Sequence, residues 1–216
     1  MTIALLDAAL ATISLTFEDL LRSASEVILF GSRAAGLDRQ TSDWDVLCIG
    51  AGKPRATQHI DLLWLSPSEQ TRPEWLSSEL AGHVAQWGQW LHGSPDWIEH
   101  VRPGNHAVAQ KSRRIAARAA ALARTWHALT LAHQHKHLSL LRRDLQRHLL
   151  LHRRAPVPPN VLLDADFRNG DAPEHSRELL QLARRLGVTP RLVEHLSRAS
   201  AHAPSFPAAD CPSPNV

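Results

Sequence analysis

The chain has no tyrosine and a single methionine. Of its two cysteines, Cys48 lies in an apolar run and Cys211 in a Pro-rich tail. Two cysteines placed so exclude a disulfide scaffold and a Cys-rich zinc module, and they fit a reducing cytoplasm. No uncharged apolar run approaches the roughly 20 residues that a membrane-spanning helix needs, so no membrane partner is expected. A basic leader is also missing. The most apolar early stretch, Ala8 to Phe17, is flanked by Asp7, Glu18 and Asp19, which argues against a secretory signal.

What remains is an ordinary globular balance, 44% hydrophobic and 21% charged over 216 residues, which excludes wholesale disorder. The length suits one large or two small domains. A net charge of +3 hides a division: acidic residues outnumber basic ones up to residue 105, and basic ones dominate from 106 onward. An acidic half suits metal ions. A basic half suits phosphate, nucleic acid or an acidic partner, or is simply a set of Arg-rich solvated helices.

Apolar residues Ile3, Leu6, Leu10, Ile13, Phe17 and Leu20 recur at helical spacing and predict one amphipathic helix from Thr2 to Leu21. Glu26 to Phe30 reads as a buried strand stopped by Gly31, Trp44 to Ile49 as a second strand and His59 to Leu65 as a third. Helical spacing returns from Trp75 to Trp87, and Gly88 to Gly93 reads as an edge strand. From His106 the chain reads as all helix, with segments near 107–126, 129–153, 174–186 and 190–199. The domains expected are therefore 1–100, mixed α/β, and 104–202, helical, with a disordered tail over 203–216.

Chemistry concentrates in Gly31-Ser32-Arg33-Ala34-Ala35-Gly36 and in Ser42-Asp43-Trp44-Asp45-Val46. Along a strand, Asp43 and Asp45 project to one face about 7 Å apart, with Trp44 on the other. Two carboxylates opening an apolar strand repel each other and call for a cation, and hard oxygen donors suit Mg²⁺ or Mn²⁺. Gly31 permits a sharp turn and close approach to a ligand. Ser32 and the amides after it open a helix whose N–H groups favour an anion. A phosphate cradle beside a metal-binding pair is suited to phosphoryl or nucleotidyl transfer.

In that order, Gly-Ser followed by Asp-x-Asp resembles the signature of the polymerase-β-type nucleotidyltransferase superfamily, most closely its minimal and aminoglycoside nucleotidyltransferases. The resemblance covers about residues 20–95. It implies an α+β fold: a small mixed β-sheet nucleotidyltransferase core with flanking helices, followed by an all-α helical domain. It also implies a third carboxylate on the next strand, where Asp61 stands. Two Mg²⁺ ions, with Mn²⁺ as a substitute, would be held by Asp43, Asp45 and Asp61. Gly31, Ser32, Arg33 and Lys111 would serve the nucleotide, Lys111 with Arg113 and Arg114 neutralising the triphosphate. The implied reaction carries a nucleoside monophosphate, AMP from ATP, to a hydroxyl of a small molecule or a protein, and releases pyrophosphate. No template nucleic acid is expected, because the chain is short for a polymerase.

The alternative is an antitoxin-like binding protein of the same fold that holds a helical partner. A third reading, ribonuclease activity, follows from Arg143 and His148, whose spacing resembles the Arg-x4-His motif of HEPN ribonucleases. The histidine pairs His133/His137 and His148/His152 have zinc-compatible spacing but no completing ligand nearby.

Overall fold

The computed structural model describes residues 3–168 and 173–201; the tail expected to be disordered over 203–216 lies outside them. The described chain divides into two compact units. One is built from residues up to Arg114 and from Gln146 to Leu162, the other from Ile115 to Leu145 and from Leu163 onward.

The first unit begins with two helices where the apolar spacing predicts one: α1 (Ile3–Ala11) and α2 (Phe17–Ser23). The chain breaks at Ser14, in the left-handed region at φ 57°. It restarts at Thr16, whose side chain caps the amide of Asp19 while Asp19 caps Thr16 in return, and each such cap is worth about 1 kcal/mol. Asp7 of α1 also accepts from the Phe17 amide at 2.6 Å, which fixes the angle between the two helices.

Strand β1 (Ala24–Phe30) follows directly, then a single helical turn, α3 (Gly31–Ala34), and β2 (Trp44–Gly50). The short β3 (Arg55–Ala56), which has no signal in the sequence, leads into β4 (Ile60–Leu65). Helices α4 (Pro67–Gln70), α5 (Pro73–Leu76) and α6 (Glu79–Trp87) precede the edge strand β5 (Gln89–His92). The helical spacing from Trp75 to Trp87 is split by a new N-cap at Ser78, which accepts from the Ala81 amide.

These strands form one mixed sheet in the order β3-β4-β2-β1-β5. β1 is antiparallel to β2 and to β5, while β2 and β4 run parallel. β1, β2 and β4 are nearly continuous apolar runs because both of their faces are covered. Val27, Leu29, Val46, Cys48, Ile60 and Leu62 pack with α1 and α2 on one face. Ile28, Phe30, Leu47 and Ile49 pack on the other with Ala81, Val84, Trp97 and Val101. Asp45 and Asp61 belong to this second face by the pleat, at the end of the sheet where β2 and β4 begin and β1 finishes.

The remaining helices are α7 (Asn105–Thr125), α8 (Leu131–His152), α9 (Asn160–Arg168), α10 (Pro173–Arg185) and α11 (Pro190–Ala201). Within the second unit Leu179, Leu182 and Ala183 of α10, Val188 of the turn after it, and Leu192, Val193 and Leu196 of α11 are buried. Arg143 forks onto Asp164 at 2.8 and 2.6 Å, and Arg118 pairs with Asp144. The whole is α+β, a mixed five-stranded sheet with flanking helices followed by a helical region. Among the described residues no helix is long and apolar enough to cross a membrane.

Candidate active site

Because β2 sits between β1 and β4, each of its residues from Asp45 to Ile49 has a partner on either side. For Asp45 these are Phe30 on β1 and Asp61 on β4. The parallel register therefore sets two carboxylates side by side on one face, a pairing that costs electrostatic free energy unless a cation answers it. Asp43 precedes Asp45 by one pleat and is exposed at the mouth of the strand.

Gly31 follows the residue paired with Asp45 and turns the chain at φ 75°. A Cβ placed on it would stand 2.0 Å from Asp45 Oδ2, so the carboxylate lies directly against the glycine backbone. Ser32 is half-buried on the same turn. The Gly-Ser turn and the Asp-x-Asp strand are thus one local structure.

The electrostatics follow from this crowding. Burial, then the charge of Asp43, then that of Asp61 push the Asp45 carboxyl up to about 7. Asp61 is also raised, by burial first and by Asp43 second. These groups share a repulsive field. Among the described residues, no group of three or more His, Cys, Asp or Glu side chains is arranged to hold a metal ion as it stands. The chemistry of the donor set nonetheless fits a hard divalent cation, since carboxylate oxygens that repel one another are relieved by a positive charge between them.

Two residues expected at the nucleotide have other partners. Arg33 donates from Nε to the Asp43 carbonyl at 3.1 Å and from Nη2 to the Ser42 carbonyl at 2.6 Å, and pairs through Nη1 with Asp38 at 2.9 Å. Lys111 is buried, and its ammonium meets Glu79 Oε2 at 2.6 Å. Glu79 also lies 3.6 Å from Arg147 Nε. Arg113 and Arg114 are exposed on α7. The ribonuclease pair is engaged as well: Arg143 holds Asp164, and the buried His148 lies 2.8 Å from Ser112 Oγ through Nε2.

Sequence reasoning missed three contributors. Trp44 carries the Arg33 guanidinium on its ring, 4.4 Å from the centroid. Asp38 anchors that guanidinium from the loop. Gln89, at the start of β5, donates to the Ala34 carbonyl at 2.6 Å and ties the edge strand to the Gly-Ser turn. Nothing in the residue order points to these roles, because each depends on a partner that the fold brings in from another segment.

Residues 10–88 match the family model described as a nucleotidyltransferase domain. No curated protein matches the chain. The matched stretch contains Gly31, Ser32, Asp43, Asp45 and Asp61 and is a nucleotidyltransferase domain, consistent with the polymerase-β-type superfamily. The matched domain supports a transferase enzyme and implies a nucleoside triphosphate as its substrate.

Proposed function

We propose that this nucleotidyltransferase moves AMP from ATP to a hydroxyl group on a small molecule or a protein, releasing pyrophosphate and using no template. The acceptor oxygen attacks the α-phosphorus, the bond from that phosphorus to the bridging oxygen of pyrophosphate breaks, and the hydroxyl proton passes to Asp61. Asp43, Asp45 and Asp61 are the residues that would hold two Mg²⁺ ions, or Mn²⁺. Those ions, when bound, supply charge neutralisation at the phosphates and acidify the acceptor hydroxyl.

The chain's own groups do the rest. Gly31 lets the backbone come close to a phosphate, and Ser32 with the neighbouring amides binds the β- or γ-phosphate. Asp45, held against Gly31, keeps one carboxylate at a fixed distance from that turn. Residues 1–100 carry the catalysis and 104–202 a helical domain. A buried free thiol, Cys48, fits work in a reducing cytoplasm.

One observation carries the reading: Asp45 is in register with Asp61 on one side and packed on Gly31 on the other. That arrangement sets two neighbouring carboxylates directly beside the Gly-Ser turn. The test is to incubate the full chain with α-labelled ATP, Mg²⁺ and cell lysate. A labelled acceptor is expected, and Asp43→Asn or Asp45→Asn is expected to abolish the label while the variants stay folded. Full labelling by either variant would overturn the assignment. Absence of label with the unaltered chain would leave the antitoxin-like reading in its place.

A further inference from the structure

Arg33 follows the Gly-Ser turn, where a cation invites assignment to phosphate, yet its guanidinium is turned toward backbone. Nε and Nη2 reach two successive carbonyls, those of Asp43 and Ser42, at 3.1 and 2.6 Å. Nη1 reaches Asp38 Oδ2 at 2.9 Å. The guanidinium lies over the indole of Trp44, 4.4 Å from its centroid, and Trp44 is itself buried in the layer beneath α1 and α2. With its side chain 15% exposed, Arg33 has every nitrogen occupied and one face covered.

Two adjacent carbonyls converging on one group is a demand that a planar fork meets and a point charge does not. Both carbonyls belong to the last residues before β2, and the second is that of Asp43, whose side chain stands at the strand mouth. Whatever fixes this peptide fixes where the Asp43 carboxylate points.

We propose that Arg33 is a positioning residue: by clamping the Ser42 and Asp43 carbonyls against Trp44 and Asp38, it fixes the peptide that carries the Asp43 side chain beside Asp45 and Asp61, where a divalent cation would be held, and it does not bind the nucleotide. The inference rests on the metal reading given under the proposed function and deepens it. A ligand-orienting contact of this kind commonly sets metal affinity by about 10- to 100-fold.

The test is direct Mn²⁺ binding to the full chain, with free Mn²⁺ read by its EPR signal so that no turnover is needed. Alongside it, binding of a fluorescent ATP analogue is measured at saturating Mn²⁺. Arg33→Ala is expected to weaken Mn²⁺ binding about tenfold and to change analogue affinity by less than about twofold. Arg33→Lys keeps the charge and preserves the fold if the alanine variant does not. It is expected to remain several-fold weak for Mn²⁺, since one ammonium cannot span both carbonyls. A phosphate contact would give the reverse, with Arg33→Lys close to the unaltered chain and analogue affinity lost in Arg33→Ala; that result overturns the proposal. Unchanged Mn²⁺ binding in both variants overturns it as well. Asp43→Asn separates this failure from that of the underlying reading. If it too binds Mn²⁺ normally, the carboxylate assignment falls and the Arg33 proposal falls with it. If it alone loses Mn²⁺, only the Arg33 proposal falls.

Discussion

Asp45 occupies the space that a side chain on Gly31 would need: a Cβ there would stand 2.0 Å from Asp45 Oδ2 and 2.9 Å from its Cγ. Two motifs fourteen residues apart in the chain are therefore a single packing event. It arises because β1 and β2 pair with Phe30 opposite Asp45, and the chain then turns at φ 75° across the carboxylate. Only a residue without a Cβ satisfies both the turn and the contact.

Gly31→Ala is accordingly expected to fail on two counts. The left-handed conformation costs about 1–2 kcal/mol, and the methyl group pushes Asp45 out of line with Asp61. Thermal unfolding should shift down and transfer activity should be lost. Removing the obstructing carboxylate relieves part of this, so the stability loss of the Gly31→Ala/Asp45→Ala double variant should fall short of the sum of the single losses. Strict additivity in urea unfolding would show that the two positions do not touch.

The elevated Asp45 carboxyl gives a pH signature in metal-free protein. Between the unfolded value near 3.8 and the folded value of about 7, the folded state holds a proton that the unfolded state has released. Stability from this group therefore falls as pH rises through that window and levels off above it. The shift corresponds to at most about 4 kcal/mol. Asp45→Asn should flatten the pH dependence of the urea midpoint in chelator and be more stable than the unaltered chain at pH 8. Added Mg²⁺ should stabilise the unaltered chain more at pH 8 than at pH 5, when the site must first lose its proton. A midpoint that climbs from pH 5 to pH 8 specifically through Asp45 would contradict the burial and repulsion described above.

How much of this was legible beforehand depended on which physical rule left a mark in the residue order. β1, β2 and β4 were readable because strands buried on both faces are unbroken apolar runs, and Gly88 and Gly93 bracket β5. Asp61 stands out only through the family resemblance; its register opposite Asp45 comes from the parallel pairing of β2 and β4, which the residue order does not spell out. The break between α1 and α2 was not, because Ile13 and Phe17 remain buried across it and the apolar spacing continues through the turn. Its one mark was the Thr16-to-Asp19 capping box. β3 has two residues and α9 hides behind prolines. For Arg33 and Lys111 the sequence carries the charge but not its direction, and direction is set by carbonyls and carboxylates brought in from elsewhere by the fold.

Lys111 illustrates that last point and supplies a test. Its side chain is 2% exposed and its ammonium is 2.6 Å from Glu79. Glu79→Gln takes the negative charge away from a buried cation, which costs about 3–5 kcal/mol when a buried pair is broken. Lys111→Met should cost less, since Glu79 keeps Arg147 nearby and is itself only partly buried. Urea unfolding of the two variants checks the order. Were Lys111 instead serving the triphosphate, Lys111→Met would leave stability unchanged and weaken ATP binding.

Glu26 is a buried carboxylate whose partners are neutral donors. At 9% exposure, it accepts from the indole N–H groups of Trp90 at 2.9 Å and Trp97 at 3.1 Å through Oε2, and from the side-chain amide of Gln70 through Oε1. It therefore ties β1 to β5, to α4 and to the segment carrying Trp97, while the rings of Trp75, Trp97 and Trp90 pack in sequence at 5.7 and 6.1 Å. Glu26→Gln preserves size but replaces one acceptor oxygen with an NH₂, so a donor faces a donor on at least one side. A buried donor left without an acceptor costs about 1–3 kcal/mol. The variant should lose that much in urea unfolding and show an altered near-ultraviolet circular dichroism from the tryptophan cluster. Gln70→Ala should cost less, because both indoles keep their acceptor. A Glu26→Gln change below about 0.5 kcal/mol, within the range of ordinary surface substitutions, would mean that the three donors do not depend on the carboxylate.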